Sequence, residues 1–201
     1  MASNRPPIRS VLVTAVLLTA FGLASVHVPA QGAGTQMFAN ANTPVLDAAG
    51  GKNVGTLAPG AAVSVSGQSG SSTHVTVNGF AAAGSPATIF ASADKHIVVL
   101  SKFTGHAVPG ATQSVAGTTY AAVTADGWVA TNALVADVAT VWKSASDLYA
   151  QKCGSCHSLR PANSYSANQW PAIMKTQADN AGLDPGQTAL ITTYLQVQSG
   201  K

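Results

Sequence analysis

Charged residues are scarce in this chain of 201 residues, and glutamate is missing altogether. The charged fraction is 8%, against roughly a quarter in average proteins, and all seven acidic residues are aspartates. So few cations exclude an extended basic surface for nucleic acid. The aspartates are scattered, and no paired carboxylates, phosphate loop or Ser-His-Asp set is evident in the sequence. We therefore expect a protein that is not an enzyme.

The first 30 residues follow the pattern of a secretory signal peptide. Arg5 and Arg9 precede an apolar run from Val11 to Val26, and the run Val28-Pro29-Ala30 supplies small residues for cleavage. This apolar run is shorter than the roughly 20 residues that cross a bilayer, so we expect no membrane span after cleavage. Loss of the two arginines lowers the formal net charge from +3 to +1. The sequence predicts an exported, periplasmic protein.

The two cysteines lie three positions apart and are followed directly by a histidine, in the run Cys153-Gly154-Ser155-Cys156-His157. This spacing lets two thiols bond the two vinyl groups of one haem and places an imidazole beside the iron. We predict one covalent haem c, with Cys153 and Cys156 as its attachment points and His157 as the proximal iron ligand. The backbone carbonyl of Pro161 is expected to accept the second imidazole N–H.

A dithiol redox pair and part of a zinc site are the alternative interpretations of this motif. A thioredoxin-like dithiol is expected within a βαβ pattern, and none surrounds the motif. A tetrahedral zinc site needs four ligands, but the sequence offers no second cysteine pair and no nearby histidine cluster. Both alternatives therefore lack the neighbouring residues that they require.

Helix signals lie on both sides of the motif. A capped helix is predicted to begin at Ser144 or Ser146 and to run into the attachment site. A later helix is predicted to begin at Asp184, with Pro185 in its first turn and Gln187 completing a capping box.

A helix between these two is predicted to supply the distal ligand. It is predicted to open near Ser166 or Asn168 and to end before Gly182. Trp170 and Met174 lie four residues apart and therefore share one face of this helix. We predict that the Met174 thioether binds the iron opposite His157, although filling of the core by both side chains is an alternative. Three upstream histidines are expected to be surface residues instead: His74, His96 and His106.

The run from Asp147 to Gln196 resembles the C-terminal single-haem domain of trimethylamine-N-oxide reductase cytochrome subunits, and more widely c-type cytochromes. The resemblance rests on Leu148-Tyr149-Ala150, the attachment site, Ala167-Asn168-Gln169-Trp170-Pro171, Met174-Lys175 and Tyr194-Leu195-Gln196. It implies a haem-binding fold, electron transfer, and a redox partner such as a periplasmic molybdenum reductase. Those relatives are membrane-anchored multihaem proteins, whereas this chain has one attachment site.

The surroundings of Trp170 and Met174 also resemble small dihaem cytochromes. In that family the distal ligand is a histidine six residues beyond the position of Met174. This chain has Asn180 there, which argues against two histidine ligands and favours Met174.

The N-terminal half contains short apolar alternations that are typical of β-strands. Residues 75–82 match residues 123–130 at a displacement of 48 positions, which indicates an internal repeat. The dipeptides Asn78-Gly79 and Asp126-Gly127 are predicted to form two-residue hairpin turns.

This half resembles bacterial Src-homology-3-like barrels, which bind cell-wall peptides or protein partners. We accordingly predict an α+β multidomain fold, in which a small β-barrel region precedes an all-α cytochrome c domain. The predicted boundaries are a signal peptide at 1–30, Src-homology-3-like units at 36–88 and 89–138, and a cytochrome domain at 142–201.

The function expected from the residues alone is the transfer of single electrons through one haem. The alternative is a haem-based redox or gas sensor, or a cell-wall or partner-binding module that carries a haem domain. Three lysines are candidates for attracting an acidic redox partner: Lys143, Lys152 and Lys175. The barrels either bind a ligand or position the haem domain.

Overall fold

A computed structural model describes residues 34–200 of the chain. The predicted signal peptide at 1–30 lies outside the described residues. The strands are β1 Thr35–Ala39, β2 Thr43–Leu46, β3 Asn53–Leu57, β4 Ala62–Ser69, β5 Ser72–Ala82, β6 Ser85–Phe90, β7 Val98–Ser101, β8 Ala107–Val115, β9 Thr118–Ala130 and β10 Leu134–Val135. The helices are α1 Val138–Cys153, α2 Trp170–Gln177 and α3 Pro185–Gln198, with short 3-10 turns at Thr131–Ala133 and Ala162–Ser164. No helix among these residues is long and apolar enough to cross a membrane.

All ten strands described belong to one sheet, in the order β10-β1-β4-β5-β6-β7-β3-β2-β9-β8. An additional pairing of β5 with β9 closes the six strands β5, β6, β7, β3, β2 and β9 into a ring. Along β5 the side chains of Thr73, Val75 and Val77 are buried while the intervening ones are half-buried. This period of two places every second side chain in the barrel core.

The sheet contains two copies of one four-strand repeat, and each copy contributes three of its strands to the ring. The hairpins β2–β3 and β4–β5 of the first copy correspond to β6–β7 and β8–β9 of the second, and the pairing of β2 with β9 corresponds to that of β6 with β5. Val77 pairs with Ala125, its own equivalent 48 positions later, so a pseudo-twofold axis passes through this pair. The internal repeat predicted from the sequence therefore has a direct counterpart in strand pairing.

The predicted fold class is wrong. About 40% of the described residues are strand and 26% helix, and strands from both repeats share one six-stranded barrel. The three helices do not make a clear all-α cytochrome domain. The physical reason is that alternating polarity identifies strands but not their partners, and here each repeat takes partners from the other. The boundary predicted at 88/89 falls inside β6, and the domain limits remain predictions.

The two predicted hairpin turns are also absent from these positions. Asn78-Gly79 lies within β5 and Asp126-Gly127 within β9. A Cβ atom on Gly79 would lie 2.4 Å from the Phe90 carbonyl oxygen, and one on Gly127 would lie 2.4 Å from Val45 Cγ1. Both glycines therefore mark equivalent places where a neighbouring strand approaches too closely for a side chain.

The helices pack against the barrel through specific contacts. The Asn168 side chain accepts the His96 N–H at 2.7 Å and donates to the Asp94 carbonyl at 3.0 Å. The buried Gln196 amide donates to the His96 carbonyl at 3.2 Å. The Trp142 ring packs directly against Gly60. A Cβ atom added to Gly60 would lie 2.1 Å from Cη2 of Trp142. These contacts hold α1, α2 and α3 against the loop between β6 and β7 and the turn before β4.

We expect Gly79→Ala to lower the free energy of unfolding by about 2 kcal/mol, since the nearest atom is backbone and cannot move aside cheaply. Denaturant unfolding followed by fluorescence measures this. The matched control is Gly67→Ala in β4, where the nearest atom lies 4.0 Å from the new methyl group. Equal stability of the two variants would contradict the close approach at Gly79.

Candidate functional site

Helix α1 carries the first cysteine at its C-terminal end. Asp137 caps the helix, and its side chain accepts the Ala139 N–H, so the helix begins earlier than the predicted Ser144 or Ser146. The short Asp137 side chain satisfies an otherwise unpaired amide of the first turn. The helix ends at Cys153, with Gly154 as the next residue. Its buried face directs Tyr149 toward the same end of the helix bundle as Cys153.

The attachment motif spans the end of α1 and the segment that follows it. Cys153 is half-buried, Cys156 and His157 are exposed, and both cysteines are free thiols. The His157 Nδ1 atom lies 2.8 Å from the Ser158 carbonyl oxygen. This contact orients the ring and leaves Nε2 without a hydrogen bond among residues 34–200. The Pro161 carbonyl instead accepts the Ser164 N–H, so the orienting carbonyl is Ser158 and not the predicted Pro161.

Two aromatic side chains fix the segment after His157. The Tyr149 hydroxyl donates to the Arg160 carbonyl at 2.9 Å, and the Trp170 indole N–H donates to the Ala162 carbonyl at 2.8 Å. Tyr165 packs edge-on against Trp170 with ring centroids 5.0 Å apart. The backbone next to the motif is therefore held by bonds from α1 and α2.

The two remaining helices complete the walls of the site. Helix α2 carries Trp170 and Met174, which are 1% and 2% exposed and lie one turn apart as the sequence predicts. Asp184 caps α3, and the capping box with Gln187 is confirmed in both directions. Ile191 of α3 is buried against the same cluster.

A cavity of about 300 Å³ lies among these elements, within the size range of small-molecule sites. It is lined by Tyr149, Lys152, Cys153, Cys156, His157, Arg160, Tyr165, Trp170, Ile173, Met174, Gln177, Asn180 and Ala181. The four predicted site residues, Cys153, Cys156, His157 and Met174, thus line one cavity. Their individual roles remain predictions.

The lining fits a covalently attached haem. Two thiols at the required spacing, one oriented imidazole and one thioether are the donor set of a c-type centre. The aromatic and aliphatic side chains of Tyr165, Trp170 and Ile173 form an apolar wall for a flat macrocycle. Within residues 34–200 no cluster of three or more histidine, cysteine or acidic side chains is arranged to hold a bare metal ion.

The three upstream histidines, which were expected to be surface residues and not ligands, lie away from the cavity. His74, His96 and His106 do not line the cavity. The His96 Nε2 atom lies 2.8 Å from the Tyr120 hydroxyl, and its ring packs 4.9 Å from Phe90. It is therefore a structural residue at the junction of barrel and helices.

A hydrogen-bonded Ser-His-Asp set does occur in the barrel, although the sequence was interpreted as having none. The His74 Nδ1 atom lies 2.7 Å from Ser66 Oγ, and its Nε2 atom lies 3.3 Å from Asp126 Oδ2. Strand pairing between β4, β5 and β9 brings together residues far apart in the chain. The set lies on the barrel surface against Trp128, and none of its residues lines the cavity, so we assign it no part in the proposed function.

Sequence reasoning missed the residues that support the motif. Tyr149, Arg160 and Tyr165 hold or line the site, but none belongs to the attachment pattern. Tyr149 lies four residues before Cys153, and residues at that spacing share a helix face. This spacing could have identified Tyr149 as a neighbour of the site.

The thiol of Cys153 has altered acidity in the haem-free chain. Burial raises the pKa of this thiol above its usual value, and the neighbouring Cys156 thiol raises that pKa further. Burial also raises the pKa of the Tyr149 hydroxyl, and Cys153 adds to that effect. At neutral pH the Cys153 sulfur is therefore mostly protonated.

We expect iodoacetamide to alkylate Cys153 several times more slowly than Cys156 in the haem-free chain near neutral pH. A raised pKa leaves less thiolate, and Cys153 is also less exposed. Peptide mass spectrometry over a pH series measures both rates. The rate at Cys153 should still rise above pH 9, and Cys156→Ala should increase it at fixed pH. Equal rates at the two cysteines contradict this expectation.

Comparison with known proteins finds two matches to cytochromes. A family model described as dihaem cytochrome c matches residues 149–201, a segment that includes the attachment motif and both helices beyond it. The cytochrome c-type protein TorY of Haemophilus influenzae is 28% identical over 68 residues. That alignment covers 34% of this chain and only 18% of the relative. No solved structure matches the chain. The two matches support a c-type cytochrome, and a cytochrome c domain implies covalent haem c.

Proposed function

We propose that this chain is an exported electron carrier with one covalently bound haem c. The observation that carries the proposal is the convergence of Cys153, Cys156 and His157 on one cavity with an apolar wall. A haem held there supplies a one-electron centre, and the protein sets its potential through ligand, burial and nearby charge. The chain acts as a carrier and not as an enzyme.

The cysteines and the histidine have separate tasks in this proposal. Cys153 at the helix end and Cys156 one turn later form thioether bonds that prevent loss of the cofactor. The Ser158 carbonyl keeps the proton of His157 on Nδ1, so that Nε2 is free to bind iron. Holding the ring in this orientation limits rearrangement when the oxidation state changes.

Met174 is the proposed distal ligand. Its side chain is 2% exposed and lines the cavity from α2, on the same helix face as Trp170. A thioether opposite an imidazole raises the haem potential. Burial among Trp170, Ile191 and Leu195 favours electron transfer over gas binding, because it leaves the thioether little freedom to move away.

The proposed partner is a redox protein with an acidic surface. Of the three lysines predicted to attract it, Lys143 is neutralised by Asp147 at 2.7 Å, and Lys152 lines the cavity. Lys175 is exposed on α2 and has no carboxylate within ion-pair distance among residues 34–200. The proposed class of acceptor is a periplasmic molybdenum reductase, from the resemblance to trimethylamine-N-oxide reductase cytochrome subunits. The attraction between the exposed lysine and an acidic partner is weak and salt-dependent.

The barrel is proposed to position the haem site relative to that partner. Its contact with the helices uses the bonds of Asn168 and Gln196 to the loop at residues 94–96. These bonds are directional, so they fix an orientation as well as a distance.

The central test is co-expression with a cytochrome c maturation system. We expect a haem-staining band on a denaturing gel, with export and a mass increase of one haem. Cys153→Ala with Cys156→Ala should abolish the band, because both covalent bonds are lost. Ser155→Ala is the matched control, since this exposed side chain lies between the cysteines and should leave attachment unchanged. Absence of covalent haem in the wild-type protein contradicts the proposal.

Ligation by Met174 is tested with Met174→Leu, which keeps the volume of the core side chain. We expect the midpoint potential to fall by at least about 59 mV, a tenfold change in a one-electron equilibrium. The reduced variant should also bind carbon monoxide, which the wild type should not. Ile173→Leu, a neighbouring cavity residue without sulfur, is the control.

An unchanged potential in Met174→Leu excludes the methionine as ligand. Carbon monoxide binding by the unmodified protein favours the sensor alternative over the electron carrier, because it shows an open iron position.

A further inference from the structure

The two four-strand repeats differ in what lies beside the hairpin that each carries outside the ring. In the first copy, β4 pairs with β5 on one side and with β1 on the other. In the second copy, the equivalent strand β8 pairs with β9 on one side and is the last strand of the sheet. Only Ala83 and Gly84 separate β5 from β6, so the second copy has no counterpart of β1. One edge of β8 is therefore without a neighbouring strand among residues 34–200.

Strand register identifies which residue of β8 corresponds to a covered residue of β4. Ser64 lies opposite Thr76, and Val108 lies opposite Thr124, which is 48 positions after Thr76. Ser64 and Val108 are therefore equivalent positions in the two copies. On its other side, Ser64 pairs with Gln36 of β1. The equivalent place beside Val108 is not filled by any strand of the described part of the chain.

Exposure at these two positions is the reverse of what their polarity favours. The polar Ser64 is 7% exposed, whereas the apolar Val108 is 54% exposed. A single exposed valine is ordinary on a protein surface, but this one lies on an open strand edge. Such an edge presents unpaired N–H and C=O groups, which are a template for another strand. An apolar side chain and an open backbone thus coincide at one place.

The charge of β8 does not oppose pairing with another strand. Lysine and other charged residues often protect natural edge strands, but Ala107–Val115 contains no charged residue. Pro109 and the register shift between Pro109 and Thr112 do interrupt the edge beyond Val108. The open stretch is therefore short. The pairing of β1 with β4 is equally short, since it covers the four residues from Ala62 to Val65.

We propose that this edge of β8 pairs with the same edge of a second copy of the chain. Two β8 strands that run antiparallel about a twofold axis near Val108 fill both open edges with one interface. A strand without charge suits its own copy, because like charges placed directly opposite each other destabilise a pair of strands. The two valines then cover each other, and the two sheets become continuous. The inference concerns the barrel and does not depend on the proposed function.

The test measures the mass of the exported, mature protein in solution by sedimentation equilibrium over a wide range of concentration. It compares the wild type with Val108→Lys, with Val108→Glu and with an equimolar mixture of these two variants. Thr119→Lys is the matched control, because it adds the same charge to the same hairpin at an exposed position. Thr119 pairs with Ser114, and its carbonyl accepts the Ala83 N–H, so it does not lie on the open edge.

We expect the wild type and Thr119→Lys to form a dimer. Val108→Lys and Val108→Glu should each weaken self-association about tenfold, because like charges face each other and the apolar contact is lost. The mixture should associate again, since opposite charges then face each other across the axis. Hydrogen exchange at residues 106–108 of the wild type should also slow as the protein concentration rises.

Three outcomes overturn the inference. A wild type that stays monomeric at every concentration excludes the pairing. A dimer that both charged variants retain at full strength uses another surface. Hydrogen exchange that slows at residues 106–108 only when a peptide with the sequence of residues 34–40 is added shows that the edge accepts a separate strand and not a second copy. Because Val108 is exposed, both variants should keep the wild-type circular dichroism spectrum, and if one does not fold, the other decides the question.

Discussion

The antiparallel pairing of β5 with β9 is the interaction on which the rest of the structure depends. It runs from Ser72 opposite Ala130 to Ala82 opposite Tyr120, along the full length of β5. Because these strands belong to different repeats, their pairing converts two sets of hairpins into one closed ring. The ring buries Val75, Val77 and Ala125 on its inner side. A closed ring also leaves fewer strand edges exposed to other chains.

The same pairing positions the helices. Tyr120 of β9 bonds the His96 ring at 2.8 Å, and His96 presents its backbone to Asn168 and Gln196. A register shift of one residue in β9 would turn Tyr120 away from His96 and weaken this junction. The orientation of the haem cavity relative to the barrel therefore depends on a strand register far from the cysteines in sequence.

Some local features of the chain and its internal repeat could be predicted, whereas the partners of the strands could not. The α3 capping box at Asp184 and the shared helix face of Trp170 and Met174 involve residues within four positions, so spacing alone determines them. Asn78-Gly79 shows the limit, because its composition suits a tight turn, yet both residues pair with β9 in mid-strand. The glycine instead makes room for the backbone of Phe90. The site follows the same rule. Its motif is contiguous, whereas the supporting bonds of Tyr149 and Trp170 span 11 and 8 positions.

The axis through Val77 and Ala125 also has an evolutionary meaning. In a symmetric homodimer, a residue on the twofold axis pairs with its own copy in the other subunit. Here that pairing occurs within one chain, between positions that occupy the same place in each repeat. Such a register arises directly when a gene for one four-strand unit is duplicated and fused, with the dimer interface kept as the centre of the new barrel. The two halves now differ where the helices contact them, since one half offers the loop at His96 and the other offers the turn at Gly60.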